Sequence, residues 1–224
     1  MTFDLKQALG ANQTRALIFD MDGTLVDNMG FHHRTWIEWA HREGLPGSNE
    51  EIWSQTHGTI REIVRRLFPD EDDATRFARG ERKEALYREL YRPHLRLIPG
   101  LSAILESAQK LTLPMAVATA GDRTNINFTL DGLDVRSYFD AVIGAEEVQH
   151  GKPNPEVFLK AAQKLGVTPE NCLVFEDSTV GAEAAQRAGM PCIVVNAMSP
   201  REEFGDALHV LHFARDYNDL GSVE

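Results

Sequence analysis

Two aspartates one residue apart, Asp20 and Asp22, close a short apolar run and are followed at once by Gly23 and Thr24. Carboxylates in this arrangement either cap the turn that the glycine permits or carry chemistry. An EF-hand calcium loop does not fit, because it needs a third oxygen-bearing residue before the glycine and a glutamate six residues after it. Two more acids, Glu176 and Asp177, close a later apolar run, and Thr119 closes another. Gly151-Lys152-Pro153-Asn154-Pro155 sets a lysine immediately before a proline-restricted turn. Singly, a strand-end threonine can simply bond backbone, and a lysine before proline can simply be solvated. Gathered at one place, four acids, one hydroxyl and one lysine repel unless a cation and an anion compensate. Magnesium takes one or two carboxylates, phosphate oxygens and several waters in an octahedral shell. Asp20, Glu176, Asp177 and a doubly charged phosphate carry about −5, which magnesium and Lys152 bring to about −2. Phosphoryl transfer requires that neutralisation together with an in-line nucleophile.

The elements that must position these residues are short. Five runs, Ala16–Phe19, Met115–Ala118, Ala141–Ile143, Cys172–Phe175 and Cys192–Val195, are nearly all apolar, as strands buried on both faces are. Helical stretches over 101–111, 123–130, 155–165 and 180–188 lie between the later runs. The alternation predicts a parallel sheet wrapped by helices. Gly132, Gly166 and Gly189 follow these stretches where a left-handed residue is wanted. Residues 31–91 break the pattern with helical spacing alone: Trp36, Trp39 and Ala40, then Ile60, Ile63, Val64 and Leu67, then Leu86, Tyr87, Leu90 and Tyr91. The expectation is an all-helical insert after the first strand, leaving through Pro93 and a Pro99-Gly100 turn, above the carboxyl edge where open α/β sheets bind ligands. The tail beyond Pro200 is expected to add one strand and a short helix.

The chain has 224 residues, 42% hydrophobic and 25% charged, enough for one or two domains with a sizeable core. A net charge of −11 argues against nucleic acid and anionic lipid as partners. Residues 29–95 hold 11 Lys+Arg against 12 Asp+Glu, so nearly all of that charge falls on the rest of the chain. No secretory leader pattern and no run of 18 apolar residues is present, so a soluble, cytoplasmic protein is expected. Cys172 and Cys192 sit in strand-like runs and read as buried small hydrophobes. The fingerprints of dinucleotide folds, P-loops, serine esterases and zinc proteases are missing.

In their order, Asp20-x-Asp22-Gly23-Thr24, Thr119, Lys152 and Glu176-Asp177 resemble the four motifs of the haloacid dehalogenase-like hydrolase superfamily. Phe31 to Trp36, Gly58-Thr59-Ile60-Arg61 and Glu81-Arg82-Lys83 resemble its branch of β-phosphoglucomutase and sugar-phosphate phosphatases. The resemblance implies an α/β fold, a Rossmann-like doubly wound parallel sheet over 1–28 and 96–224, with a helical cap over 29–95. It implies Asp20 as nucleophile and Asp22 as general acid and base, with the Asp22 pKa above that of Asp20. Thr119 and Lys152 would hold phosphoryl oxygens. Asp20, Asp22 through its carbonyl, Glu176 and Asp177 would bind Mg2+. Thr24, His32, His57, Arg61, Lys83, Ala120 and Gly121 complete the expected substrate-binding set. His32 reads equally as an ordinary helix histidine, Arg61 and Lys83 as solvated cations, and Trp36 and Trp39 as cap core.

A dehalogenase would need neither Asp22 nor magnesium, so Asp22 favours phosphate chemistry. Where the mutase-like pattern has a lysine and a serine-lysine-asparagine run, this chain has His57 and Ala120-Gly121-Asp122-Arg123. Both departures remove groups suited to a bisphosphate. The expected activity is therefore a phosphatase acting on a small phosphorylated metabolite as a monomer, with a mutase as the alternative.

Overall fold

The computed structural model describes residues 3–205, 210–221 and 223. In chain order the elements are α1 (Leu5–Ala11), β1 (Ala16–Phe19), α2 (Met29–Arg42), α3 (Asn49–Ser54), α4 (Ile60–Leu67), α5 (Asp73–Tyr91), α6 (Leu101–Lys110), β2 (Met115–Ala118), α7 (Arg123–Gly132), β3 (Ala141–Ile143), α8 (Glu156–Leu165), β4 (Cys172–Glu176), α9 (Thr179–Arg187), β5 (Cys192–Val195) and β6 (Val210–Ala214). The six strands form one parallel sheet in the order β3-β2-β1-β4-β5-β6. All four β1 residues are buried, because helices cover both faces. Leu17 and Phe19 point into one apolar layer with α6 and α7, while Ala16 and Ile18 point into the other with α8 and α9. This is the doubly wound α/β arrangement expected.

The order in which successive strands are added reverses between β1 and β4, which run parallel with Phe19 paired to Phe175. Asp20 and Glu176 therefore leave adjacent strands side by side at the carboxyl edge, the place such sheets bind ligands. Between β1 and β2 the chain is helical, from α2 through α5, around a small core of Trp36, Trp39, Ala40, Ile52 and Ile63. The segments entering and leaving these helices lie together: Val26 bridges Leu97 antiparallel, and Ile98 N donates to Leu25 O at 2.9 Å.

Two details differ from the sequence reading. α1, capped by Asp4, was not anticipated, since Leu5 is its one buried residue and no apolar stripe marks it. Gly166 and Gly189 are left-handed, at φ 68° and 75°, but Gly132 is not; α7 runs through it, and Asp134 takes φ 56° instead. Gly132 serves packing, because a Cβ there would lie 2.7 Å from Leu95 Cδ2. The tail supplies β6 and a short helix as expected, the latter a 3-10 turn over Tyr217–Leu220. Among the described residues, no helix is long and apolar enough to cross a membrane.

Candidate active site

A cavity of about 380 Å³ separates the carboxyl edge of the sheet from the helices of the insert. Asp20, Asp22, Thr119, Lys152, Glu176 and Asp177 line its floor, and His32, Trp36, Trp53, His57 and Lys83 line its roof. Its volume suits a small metabolite, for which pockets of roughly 300–1,000 Å³ are usual.

Lys152 is the centre of the floor. Its Nζ donates to Asp20 Oδ1 and to Glu176 Oε1, both at 2.6 Å, and lies 4.7 Å above the Phe158 ring. Burial opposes the ammonium charge, but the two carboxylates outweigh it and raise the lysine above its ordinary value. Glu176 Oε2 accepts from Asp177 N, Ser178 N and Ser178 Oγ at 2.8–2.9 Å. Burial works against that carboxylate too, yet Lys152 and Ser178 hold it below the usual range. Gly181 makes this posture possible, since a Cβ there would lie 1.9 Å from the Glu176 carboxylate.

Asp20 and Asp177 are less compensated. Burial raises Asp20 most, Lys152 pulls it back, and the charges of Glu176 and Asp22 add to the rise, leaving the carboxyl at about 7. Asp177 is raised well above the ordinary value by burial and by the neighbouring charges of Glu176 and Asp20. Carboxylate oxygens of Asp20, Glu176 and Asp177 all lie within 4.8 Å of one another. Gly23, at φ 83°, admits Asp177 to this cluster: a Cβ would lie 2.0 Å from Asp177 Oδ2. Three buried carboxylates sharing one lysine, all oxygen donors, fit a hard divalent cation such as magnesium.

Asp22 is held differently. Its Oδ1 accepts from Asn28 Nδ2 at 2.5 Å and lies 3.6 Å from His32 Nε2. Asn28 is placed by the same loop, accepting from Gly23 N at 2.9 Å, and its amide reaches Tyr87 Oη at 2.6 Å. Lys83 Nζ donates to His32 Nδ1 at 3.0 Å, which puts the ring proton on Nε2, facing Asp22. Burial pushes the Asp22 carboxyl up, but His32, Asn28 and Lys83 together hold it below its ordinary value. The expected pKa order, Asp22 above Asp20, is thus reversed in the structure. The reason is local: Asp22 faces donors and cations, whereas Asp20 is buried among acids. A divalent cation on Asp20 would lower it.

The remaining expected residues divide by placement. Thr119 is buried, and its Oγ1 accepts from Gly121 N at 3.0 Å, fixing the turn through Ala120 and Gly121, both on the cavity wall. His57 lines the cavity with Nδ1 3.0 Å from Ser54 O. Lys83 is fully buried, pairing with Glu84 Oε1 at 2.8 Å and lying 4.3 Å over the Trp36 ring, so it is no solvated cation. Arg61 is exposed and outside the cavity lining, because its neighbours Ile60, Ile63 and Val64 turn the inner face of α4 inward. Thr24 is buried behind the loop, away from the cavity, where its carbonyl accepts from Tyr217 Oη at 3.2 Å. Trp36 and Trp39 are both core, as read, and Trp36 also shows an edge to the cavity.

Asn28, Glu84, Asn125 and Trp53 were missed. Asn125 Nδ2 donates to Glu84 Oε2 at 2.7 Å, and Arg88 Nη1 donates to Asn125 Oδ1 at 2.7 Å, stitching α5 to α7. Glu84 and Asn125 are single polar residues inside helices and leave no mark in apolar spacing, Asn28 stands just before α2, and Trp53 lies on the short helix α3, outside the spacing that marked the insert.

A parallel sheet with a lysine-bridged acidic cluster at its carboxyl edge, roofed by helices that follow β1, makes an α/β fold with a buried charged site under one cavity. The chain belongs to the haloacid dehalogenase-like hydrolases, whose family model matches residues 14–189. It is 33% identical over 204 residues to hexitol phosphatase A of Escherichia coli (88% of this chain, 90% of that protein) and 32% identical over 183 residues to fructose-1-phosphate phosphatase YqaB of the same organism (81% and 96%). The fold is that of β-phosphoglucomutase from Clostridium difficile, with a TM-score of 0.79 over 93% of each chain at 24% identity.

Proposed function

We propose that the protein is a Mg2+-dependent phosphatase that cleaves the phosphomonoester of a small sugar or polyol through an aspartyl-phosphate on Asp20. The observation that carries this reading is the bridging of Asp20 and Glu176 by buried Lys152 beside Asp177, under one small cavity. The Asp20 carboxylate attacks phosphorus as the ester P–O bond breaks, and Asp22, which must first take up a proton against the pull of His32, Asn28 and Lys83, gives it to the departing oxygen. Water then attacks the same phosphorus, Asp22 takes up its proton, and phosphate leaves with Asp20 restored. Lys152 and Thr119 hold the phosphoryl oxygens, and Lys152 reduces repulsion between Asp20 and the anion. Asp20 and Asp177 by their side chains, Asp22 by its carbonyl and Glu176 through water would hold the magnesium, which screens charge developing on the phosphoryl group when bound.

The insert, 29–95, acts as the cap that excludes water and shapes the leaving-group pocket. Glu84 lines the cavity from α5, paired with Lys83, and Asp122 lines it from the loop after β2. Acids there suit an uncharged, hydroxyl-rich leaving group and not a second phosphate, which favours phosphatase over mutase. The phosphatase names of the relatives support the same substrate class.

The test is phosphate release from hexitol and ketose phosphates. EDTA should abolish it, and Asp20→Asn should lower kcat by at least about 10³-fold, the scale of a lost nucleophile. Retention of activity by Asp20→Asn would sink the nucleophile assignment. A ³¹P NMR time course seeded with sugar bisphosphate should show inorganic phosphate accumulating without isomerised sugar phosphate.

A further inference from the structure

We propose that Glu62, on the insert, is a positioning residue that ties the seating of the insert to the placement of Lys152. Glu62 is the third residue of α4 and completes a capping box: its Oε2 accepts from Thr59 N at 2.7 Å and from Thr59 Oγ1 at 2.9 Å. A capping box needs only one carboxylate oxygen. The other, Oε1, crosses to the core and accepts from Gly151 N at 3.1 Å, 89 residues away and immediately before Lys152.

Two glycines make the contact possible, one from each side. At Gly151 a Cβ would lie 2.6 Å from Glu62 Oε2, 3.0 Å from Thr59 N and 3.1 Å from Gly58 Cα. At Gly58, whose φ is 96°, a Cβ would lie 2.7 Å from the same carboxylate oxygen. A side chain at Gly151 would press on Glu62, Thr59 and Gly58 of the insert, and one at Gly58 would push the Glu62 carboxylate from its place.

The loop is anchored unequally. The amides of Gln149 and His150 donate to Glu156 Oε2 at 2.9 and 3.1 Å, so α8 of the core fixes them. Gly151, the residue joined to Lys152, takes its anchor from the insert instead. Seating the insert therefore completes the support of the peptide that carries Lys152, whose Nζ bridges Asp20 and Glu176. Lifting the insert leaves that amide without its acceptor and the lysine on a looser stem. The Glu62 carboxyl itself is exposed enough to feel burial only in part, and the amides of Thr59 and Gly151 hold it below the usual range. The inference rests on the phosphatase reading for the task of Lys152, but the Glu62–Gly151 link does not.

The test compares Glu62→Ala and Gly151→Ala in the full-length protein. Gly151 is not among the residues with positive φ, so alanine there is conformationally ordinary and disturbs only the contact with the insert. Because that Cβ also crowds Glu62 Oε2 and Thr59 N of the capping box, Thr59→Ala serves as the control: it weakens the box from the Thr59 side and leaves Gly151 N its acceptor. Hydrogen exchange at residue 151 should quicken at least tenfold in both variants, and kcat for phosphate release should fall about 10- to 100-fold, the weight of a charge-assisted hydrogen bond. KM should move less than threefold, and the double variant should be no slower than the worse single one, because both break one link. A role for Glu62 in folding α4 alone predicts that Thr59→Ala loses as much melting temperature and kcat as Glu62→Ala, with exchange at residue 151 no faster in Gly151→Ala than in the wild type. Wild-type kcat in Gly151→Ala, or unchanged exchange at residue 151 in Glu62→Ala, overturns the inference. Activity retained by Asp20→Asn overturns the phosphatase reading separately, with the exchange comparison still deciding the link.

Discussion

Replacing Gly23 by alanine strikes the site where it is tightest. The added Cβ would lie 2.0 Å from Asp177 Oδ2, 2.4 Å from Asp177 Cγ and 2.9 Å from Met29 Cγ. Carbon and oxygen not bonded to each other keep about 3.3 Å apart, so the Asp177 carboxylate must retreat by about 1 Å. A displacement of that size at a reacting centre costs about 10²-fold in rate. Left-handed backbone at φ 83° adds a stability cost of about 1 kcal/mol for alanine. In a chain of this length that lowers Tm by only about 2–4 °C. The expected variant is thus folded and nearly as stable, with kcat/KM down about 100-fold and a raised magnesium concentration for half-maximal rate. Steady-state phosphate release titrated with magnesium, beside a thermal melt, measures both quantities. Activity within threefold of wild type at the same half-maximal magnesium would refute the claim that Asp177 must stand against Gly23.

Two further outcomes follow from the buried charges. Lys83→Met leaves Glu84 buried without its ammonium, so stability should fall by about 3–5 kcal/mol; a thermal melt checks this, and the Lys83→Met/Glu84→Gln double variant should recover part of the loss. Without metal, Asp20 and Asp177 hold protons that the unfolded chain has already released, since both are raised in the folded state. The unfolded state then binds fewer protons, so stability falls as pH rises from about 5 to 8. The metal-free protein should melt higher at the acid end, and excess magnesium should flatten or reverse the slope; a metal-free Tm that climbs with pH in that range contradicts the crowding at Asp20 and Asp177.

The sheet was legible because a strand buried on both faces must be apolar, as β1, β2 and β5 are throughout and β4 is up to Glu176, and because Gly166 and Gly189 follow α8 and α9. The insert was legible through Trp36, Trp39, Ile63 and Val64, whose spacing has no strand equivalent. The floor of the site followed from strand ends alone, since parallel strands deliver Asp20, Thr119, Glu176 and Asp177 to one edge whatever their loops do. The roof did not. Arg61 and Lys83 look alike in sequence, yet the inner stripe of α4 leaves one in solvent, while α5 buries the other between His32, Trp36 and Glu84. Nor could sequence order the two aspartates in acidity, because that depends on Asn28 and His32 reaching Asp22 and on acids surrounding Asp20. For Glu62 a local signal did exist, the Thr59-x-x-Glu62 box, but its second oxygen finds a partner only once the chain is folded.

The pairing of Val26 with Leu97 and of Leu25 with Ile98 closes the insert at its own base. To the sheet, 67 or so residues between these strands are a loop whose ends already touch, so their length adds little closure entropy. The helices above can be traded for others of different shape without re-registering β1 against β4. The catalytic edge and the chamber above it are, in that sense, separately replaceable parts, joined physically by a two-strand neck and chemically by the carboxylate of Glu62.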